Sequence, residues 1–306
     1  MRERTRAMGY GTVSDDGYAR AAATAFRHNR QVFDAGDLKA HPSLDPSGLT
    51  YRESRDSAEH PDSTPIAVWL DVTGSNISQA RIVHQHLRNF MNLLLQQQYV
   101  TDPQVMFSAV GDATCDRVPL QVGQFESDNR MDENLGNLVL EGGGGGQKRE
   151  SYQNAFYVMT RHTVTDAWEK RGKKGHLYVV GDEMSWLSLR KSEITSLIGP
   201  ELERDIALHF VIAAVCQRWN TTFIRPERSN YGHDPEVEAF WRAYLGESFV
   251  TIRDAEEIVP YIAADIGNRE GVPLDRITSD LAAAGYRRDT ISLVRSTVAS
   301  RAFTII

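Results

Sequence analysis

Cysteine is nearly missing from this 306-residue sequence: only Cys115 and Cys216 occur, far apart and in no paired spacing. That argues against a disulfide framework and a cysteine zinc site, and it reads as two buried, inert thiols. A long apolar run is also lacking, since nowhere do about 18 such residues follow one another, so no membrane-spanning helix is expected. The start, Met1-Arg-Glu-Arg-Thr-Arg6, leads into no apolar stretch of signal-peptide length, which sets the expectation of a cytoplasmic protein. There is no excess of basic charge. With 34 Lys+Arg against 41 Asp+Glu the net charge is −7, and no basic block exists that would displace counterions from a nucleic acid over a broad surface. Apart from one glycine run there is no low-complexity tract and no internal repeat. What is present, 41% hydrophobic and 25% charged residues, is enough for one large domain with additions or two small ones.

Residues 1–65 are rich in Gly, Asp, Ser, Pro and Arg, with one helix-like stretch from Tyr18 to Asn29 and turn signals such as Asp45-Pro-Ser-Gly48. They read as an N-terminal extension. At Ile66 the texture changes to a short apolar run ending in an acid, Ile66-Ala-Val-Trp-Leu-Asp71, the pattern of a strand buried on both faces. Ser78 to Gln98 then carries Ile82, Val83, Leu87, Phe90, Met91, Leu94 and Leu95 at helical spacing, and Pro103 bars continuation. Further strands are expected at Val105–Val110, at Leu177–Val180, at Leu208–Val215 and at Phe249–Ile252, with an edge strand at Pro119–Phe125. Helices are expected at Ser151–Lys170, Pro235–Leu245 and Ala255–Ile266. Such alternation predicts an α/β domain over residues 66–266, a doubly wound, mostly parallel six-stranded sheet with one antiparallel edge strand and helices on both faces. Residues 267–306 add two helical patterns, Leu274–Ala284 and Asp289–Ala299, read as a docking hairpin or as a cover for one end of the sheet.

In such a sheet, ligands bind outside the carboxyl ends of the strands, near the point where strand order reverses. Strand one runs into Asp71-Val-Thr-Gly-Ser-Asn76, placing a carboxylate and the hydroxyls of Thr73 and Ser75 in one turn. Oxygen donors with few charges suit Mg²⁺ or Mn²⁺. The loop Glu141-Gly-Gly-Gly-Gly-Gly-Gln147-Lys-Arg-Glu150-Ser151 lets the backbone approach another group closely. It is not a P-loop, because Gln147 stands at the second glycine position and Arg149 follows Lys148. Leu177-Tyr-Val-Val-Gly-Asp182-Glu183 is another apolar strand ending in acid, and Asp112 follows the strand ending at Val110.

Asp71-x-Thr73-x-Ser75, a glycine-rich loop with an acid behind it and the later strand-end Asp182 together resemble a von Willebrand factor A domain with a metal-ion-dependent adhesion site. The family's D-x-[ST]-x-S motif stands here as DVTGSN, and its GGGDxPE-like loop is matched by Gly144-Gly-Gly-Gln147-Lys-Arg-Glu150. The resemblance covers roughly residues 66–262, and Tyr51-Arg-Glu-Ser-Arg-Asp-Ser57 is similar to a subgroup from bacteria and phages. It implies that Thr73 and Ser75 are direct hydroxyl ligands, that Asp71 and Asp182 hold the ion mainly through water, and that Glu150 supplies the third-loop contact. Asn76 stands where methionine is usual and Gln147 where aspartate is common, which leaves the third-loop ligand open between Glu150 and Ser151. Asn76, Gly145, Gly146 and Trp186 would then border the partner surface. By the same resemblance the protein would be a non-catalytic adaptor binding Mg²⁺ (or Mn²⁺), its partner a protein with an acidic residue, AAA-type ATPase complexes included.

Other readings stand beside it. The Asp71–Ser75 turn can simply cap a helix. His84 and His86 are two apart on a helix and face different ways, so they make no metal pair. His209 reads as a core histidine and His233 as a turn residue, Trp186 as rim or packing, and Lys148 and Arg149 as solvated charges or receivers of an acidic partner. A Mg²⁺-dependent phosphohydrolase of haloacid-dehalogenase type would need a second Asp where Thr73 stands, and Gly74-Ser75-Asn76 makes no nucleophile elbow. A fold retained as a metal-independent scaffold is the remaining alternative.

Overall fold

The computed structural model describes residues 38–128, 130–141 and 146–302. Its central sheet contains β1 (Thr64–Asp71), β2 (Pro103–Val110), β3 (Leu120–Gln121), β4 (Gly175–Val180), β5 (Trp219–Pro226) and β6 (Phe249–Ile252), in the order β6-β5-β4-β1-β2-β3. All neighbours are parallel except β3, which runs antiparallel to β2 at the edge. The helices used below are α1 (Ile77–Met91), α2 (Tyr152–Arg161), α3 (Leu208–Arg218), α4 (Pro235–Leu245), α5 (Ile258–Arg269), α6 (Leu274–Ala283) and α7 (Arg288–Ala302).

Every residue of β1 is buried, and successive side chains of a strand point to opposite faces. Ile66, Val68 and Leu70 join the apolar layer formed with Val83 and Leu87 of α1 and Ile262 of α5. Ala67 and Trp69 join the opposite layer with Phe156 of α2, Val211 of α3 and Trp241 of α4. The uninterrupted apolar run of β1 follows from this double coverage. Because β1 lies between β2 and β4, the chain reverses direction of growth across the sheet at the β1/β4 boundary. A crevice at the carboxyl ends of those two strands is where this topology places ligands.

Two elements differ from expectation. Leu208–Val215 is not a strand: it opens α3, whose buried residues Leu208, Val211, Ile212 and Val215 fall at helical spacing, and the strand is the following Trp219–Pro226. A short apolar run satisfies either period, and length decides between them. The expected helix Ser151–Lys170 is broken by a strand, Thr163–Thr165, which pairs in parallel with Arg52–Ser54 and separates α2 from the short helix Asp166–Arg171. The β-branched Thr163-Val-Thr165 run favours that extended stretch. The helix expected at Tyr18–Asn29 lies outside the described residues.

The Tyr51–Ser57 segment works as a clasp. Arg55 contacts Asp166 and Glu169, both at 2.9 Å, and Asp56 pairs with Arg171 at 2.8 Å and accepts Ser63 Oγ–H at 2.7 Å. The Arg171 guanidinium, with Ser63 and Lys170, holds the Asp56 carboxyl well below the usual carboxylate range. At the other end of the chain, Ile277 and Leu281 of α6 and Val294 and Val298 of α7 belong to the same apolar layer as α1 and α5. Among the described residues no helix is long and apolar enough to cross a membrane.

Candidate metal site

Asp71 is the last residue of β1, and the chain then turns through Thr73 and the 3₁₀ turn Gly74–Asn76 into α1. Asp71 is fully buried, and each of its oxygens accepts two hydrogen bonds. Oδ1 takes the backbone N–H of Thr73 at 2.9 Å and lies 2.7 Å from its hydroxyl. Oδ2 takes the Asn76 amide at 3.0 Å and the Tyr152 hydroxyl at 2.7 Å. Asp182 arrives beside it from the loop after β4; its Oδ1 accepts the same Asn76 amide nitrogen at 2.5 Å and its Oδ2 the backbone N–H of Tyr231 at 2.8 Å.

The exit of the glycine loop is brought to this point by a two-residue strand, Arg149–Glu150, pairing in parallel with Met184–Ser185. Glu150 is buried, its Oε1 lies 3.1 Å from the Thr73 hydroxyl, and its Oε2 is buried with no hydrogen-bond partner among the described residues. Glu183 completes the group with Oε2 3.3 Å from the Tyr152 hydroxyl. Ligand oxygens of Asp71, Asp182 and Glu183 lie within 4.8 Å of one another, and these three acids can hold a metal ion.

Crowding acids away from water disfavours their charge. Burial, reinforced by the charge of Asp182 and opposed by Thr73 and Tyr152, raises the Asp71 carboxyl to about 6. Burial and the neighbouring Asp71, Asp116 and Asp112 push Glu150 up to about 10, and burial with Asp71 and Asp182 pushes Glu183 up to about 12. Among the described residues, hydroxyls, an amide and backbone N–H groups donate to these acids, and no lysine or arginine does. A divalent cation fits this donor set: it would offset the shared negative charge and give the orphaned Glu150 Oε2 a partner.

Thr73, Glu150 and Asp182 therefore gather around Asp71, while the Ser75 side chain and Gly145 lie outside the described residues. Ser151 turns away, its Oγ accepting the backbone N–H of Ala113 at 3.0 Å. Asn76, expected at a partner surface, is 1% exposed and spans two carboxylates. Gly146 is exposed with φ +72°. Trp186 is half-buried, donates its indole N–H to Asp112 at 3.1 Å and lies under Arg190, 5.1 Å from the ring centroid. Asp112 is engaged elsewhere, accepting from Thr114 of its own loop and from Gln147 of the glycine loop as well. Lys148 pairs with Asp234 at 2.7 Å. The thiols correct the expectation of buried cysteines: Cys115 is exposed in the Asp112 loop, Cys216 is half-buried, and both are free.

Sequence reading missed Glu183, Tyr152 and the Tyr231 N–H. Glu183 had a signal, a second acid directly after a strand-end aspartate. Tyr152 had none, because its reach to Asp71 depends on Gly181, where a Cβ would stand 2.1 Å from the tyrosine oxygen.

No family model and no curated protein matches the sequence. Among solved structures the chain is similar to proximal thread matrix protein 1 from the mussel byssus (crystal form 2), with TM-score 0.44 and 9% identity over 71% of this chain and 49% of that one. It is also similar to the pilus adhesin SpaC from Lactobacillus rhamnosus GG in its open conformation, with TM-score 0.44 and 10% identity over 74% of this chain and 31% of that one. The chain thus spans about half the length of the mussel protein and under a third of the adhesin.

Proposed function

We propose that this chain is a non-catalytic interaction protein of the von Willebrand factor A type, which binds a divalent cation, Mg²⁺ in the first instance, and uses it to hold an acidic side chain of a protein partner. The observation that carries this reading is the convergence of Asp71, Thr73, Glu150, Asp182 and Glu183 at the β1/β4 boundary, four buried acids and a hydroxyl, with Glu150 Oε2 left unpartnered among the described residues. Asp71, Thr73, Asp182 and Glu150 would hold the ion, with Glu183 beside them and Ser75 assigned by the sequence motif. The bound cation supplies a positive centre with a coordination position for a carboxylate. The enzyme reading gains no support from the site: Thr73 occupies the position of a second acid, and its hydroxyl lies against Asp71 and Glu150.

One observation favours the metal-independent scaffold as second reading: all four lone-pair positions of Asp71 already face protein donors. Thermal unfolding separates the two. With chelator replaced by millimolar Mg²⁺ or Mn²⁺, the unfolding midpoint of the wild type should rise by several degrees while that of Asp71→Ala stays in place, since a ligand bound only by the native state stabilises it by mass action. A wild-type midpoint indifferent to both metals would favour the scaffold.

A further inference from the structure

The amide of Asn76 lies between two of the acids that would hold a cation. Its nitrogen lies 3.0 Å from Asp71 Oδ2 and 2.5 Å from Asp182 Oδ1, so its two hydrogens serve two acids from neighbouring strands. Its orientation is fixed by Gln79, one turn into α1, whose amide donates to Asn76 Oδ1. With Thr73 and Tyr152 on its other lone pairs, Asp71 has no acceptor position left for a metal or a metal-bound water. Any ion that engages Asp71 from the Asp182 side has to dislodge the amide.

We infer that Asn76 is the affinity-setting residue of this site: an internal cation surrogate that holds Asp71 and Asp182 together without metal and competes with the metal for the gap between them. This rests on the metal-site reading of the acid cluster and adds what that reading does not contain, a residue whose loss strengthens binding. An amide carries only partial positive charge, so it offsets the two acids less well than a divalent ion, yet removing the ion leaves neither Asp71 nor Asp182 bare. Gln79 acts through Asn76, to whose Oδ1 its amide donates, which makes it a positioning residue for the surrogate.

The test is titration of the full chain with Mn²⁺, followed by the paramagnetic signal of the free ion and by calorimetry, for wild type, Asn76→Ala, Gln79→Ala and Asp71→Ala, with unfolding midpoints of each in chelator. Asn76→Ala should lower the dissociation constant for Mn²⁺ about tenfold or more, while its midpoint in chelator falls. Gln79→Ala should move affinity the same way by a smaller factor, and it serves if Asn76→Ala does not fold. Metal bound by Asn76→Ala but not by wild type would also support the inference. Unchanged or weaker binding in both variants, with wild type binding metal and Asp71→Ala not, would overturn the surrogate and leave the metal site standing. No binding by any of the four proteins would overturn both.

Discussion

At the scale of single residues, the site depends on one glycine as much as on its acids. Gly181 directly follows β4, at the point where a side-chain carbon would meet the Tyr152 oxygen at 2.1 Å and its Cζ at 2.7 Å. Gly181→Ala should push Tyr152 off Asp71 and cost about 1–3 kcal/mol in equilibrium urea unfolding. Tyr152→Phe keeps the ring between Phe223 and Trp241 but removes one donor to a carboxylate, so in Gly181→Ala it should rescue little, because the ring carbons still collide. Such a dependence is invisible in the sequence, where Gly181 and Tyr152 stand far apart. Asp71, Thr73 and Asp182 were legible because a strand-end acid on a parallel sheet lands at one edge whatever the packing. Asn76 was legible as a departure from a motif, yet its burial between two acids depends on the path of β4.

Among elements, legibility followed length and period. Runs such as Ile66–Asp71 and the apolar positions of α1 carry a single interpretation, whereas Leu208–Val215 fits both a buried strand and a helix until Trp219–Pro226 claims the sheet position. The clasp was harder, since Arg52–Ser54 becomes a strand only because Thr163–Thr165 lies beside it. Its ion pairs give a directional pH effect. The folded-state Asp56 carboxyl lies below its unfolded value, so its contribution is present above about pH 4 and is lost as pH falls through the folded value. Asp56→Asn should therefore cost about 1 kcal/mol at pH 7, a figure reduced by the partial exposure of Lys170 and Arg171, and progressively less below pH 4. Denaturant curves of both proteins at pH 7 and pH 3 check this; a penalty that is equal at both would contradict it.

For the whole molecule, a mostly parallel six-stranded sheet with helices on both faces was legible from strand–helix alternation, while the strand order came only with the structure, and the role of residues 267–306 was not legible, because two amphipathic helices read the same as a cover or as a docking module. Leu281 is fully buried in the layer shared by α1, α5 and the sheet. Leu281→Ala should cost about 2–5 kcal/mol and lower a single unfolding transition; an early second transition confined to the hairpin would mark a separate unit instead. The acid cluster also has an order of assembly written into its connectivity. Asn76 and Asp182 are 106 residues apart in the chain, and Asp182 needs the Tyr231 N–H a further 49 residues on. A polypeptide leaving the ribosome carries Asp71 and Asn76 long before their partners are synthesised. Nothing resembling the complete acid cluster exists until β4 has been inserted beside β1, so the group of acids that can hold a cation is a property of the assembled sheet and of no shorter part of it.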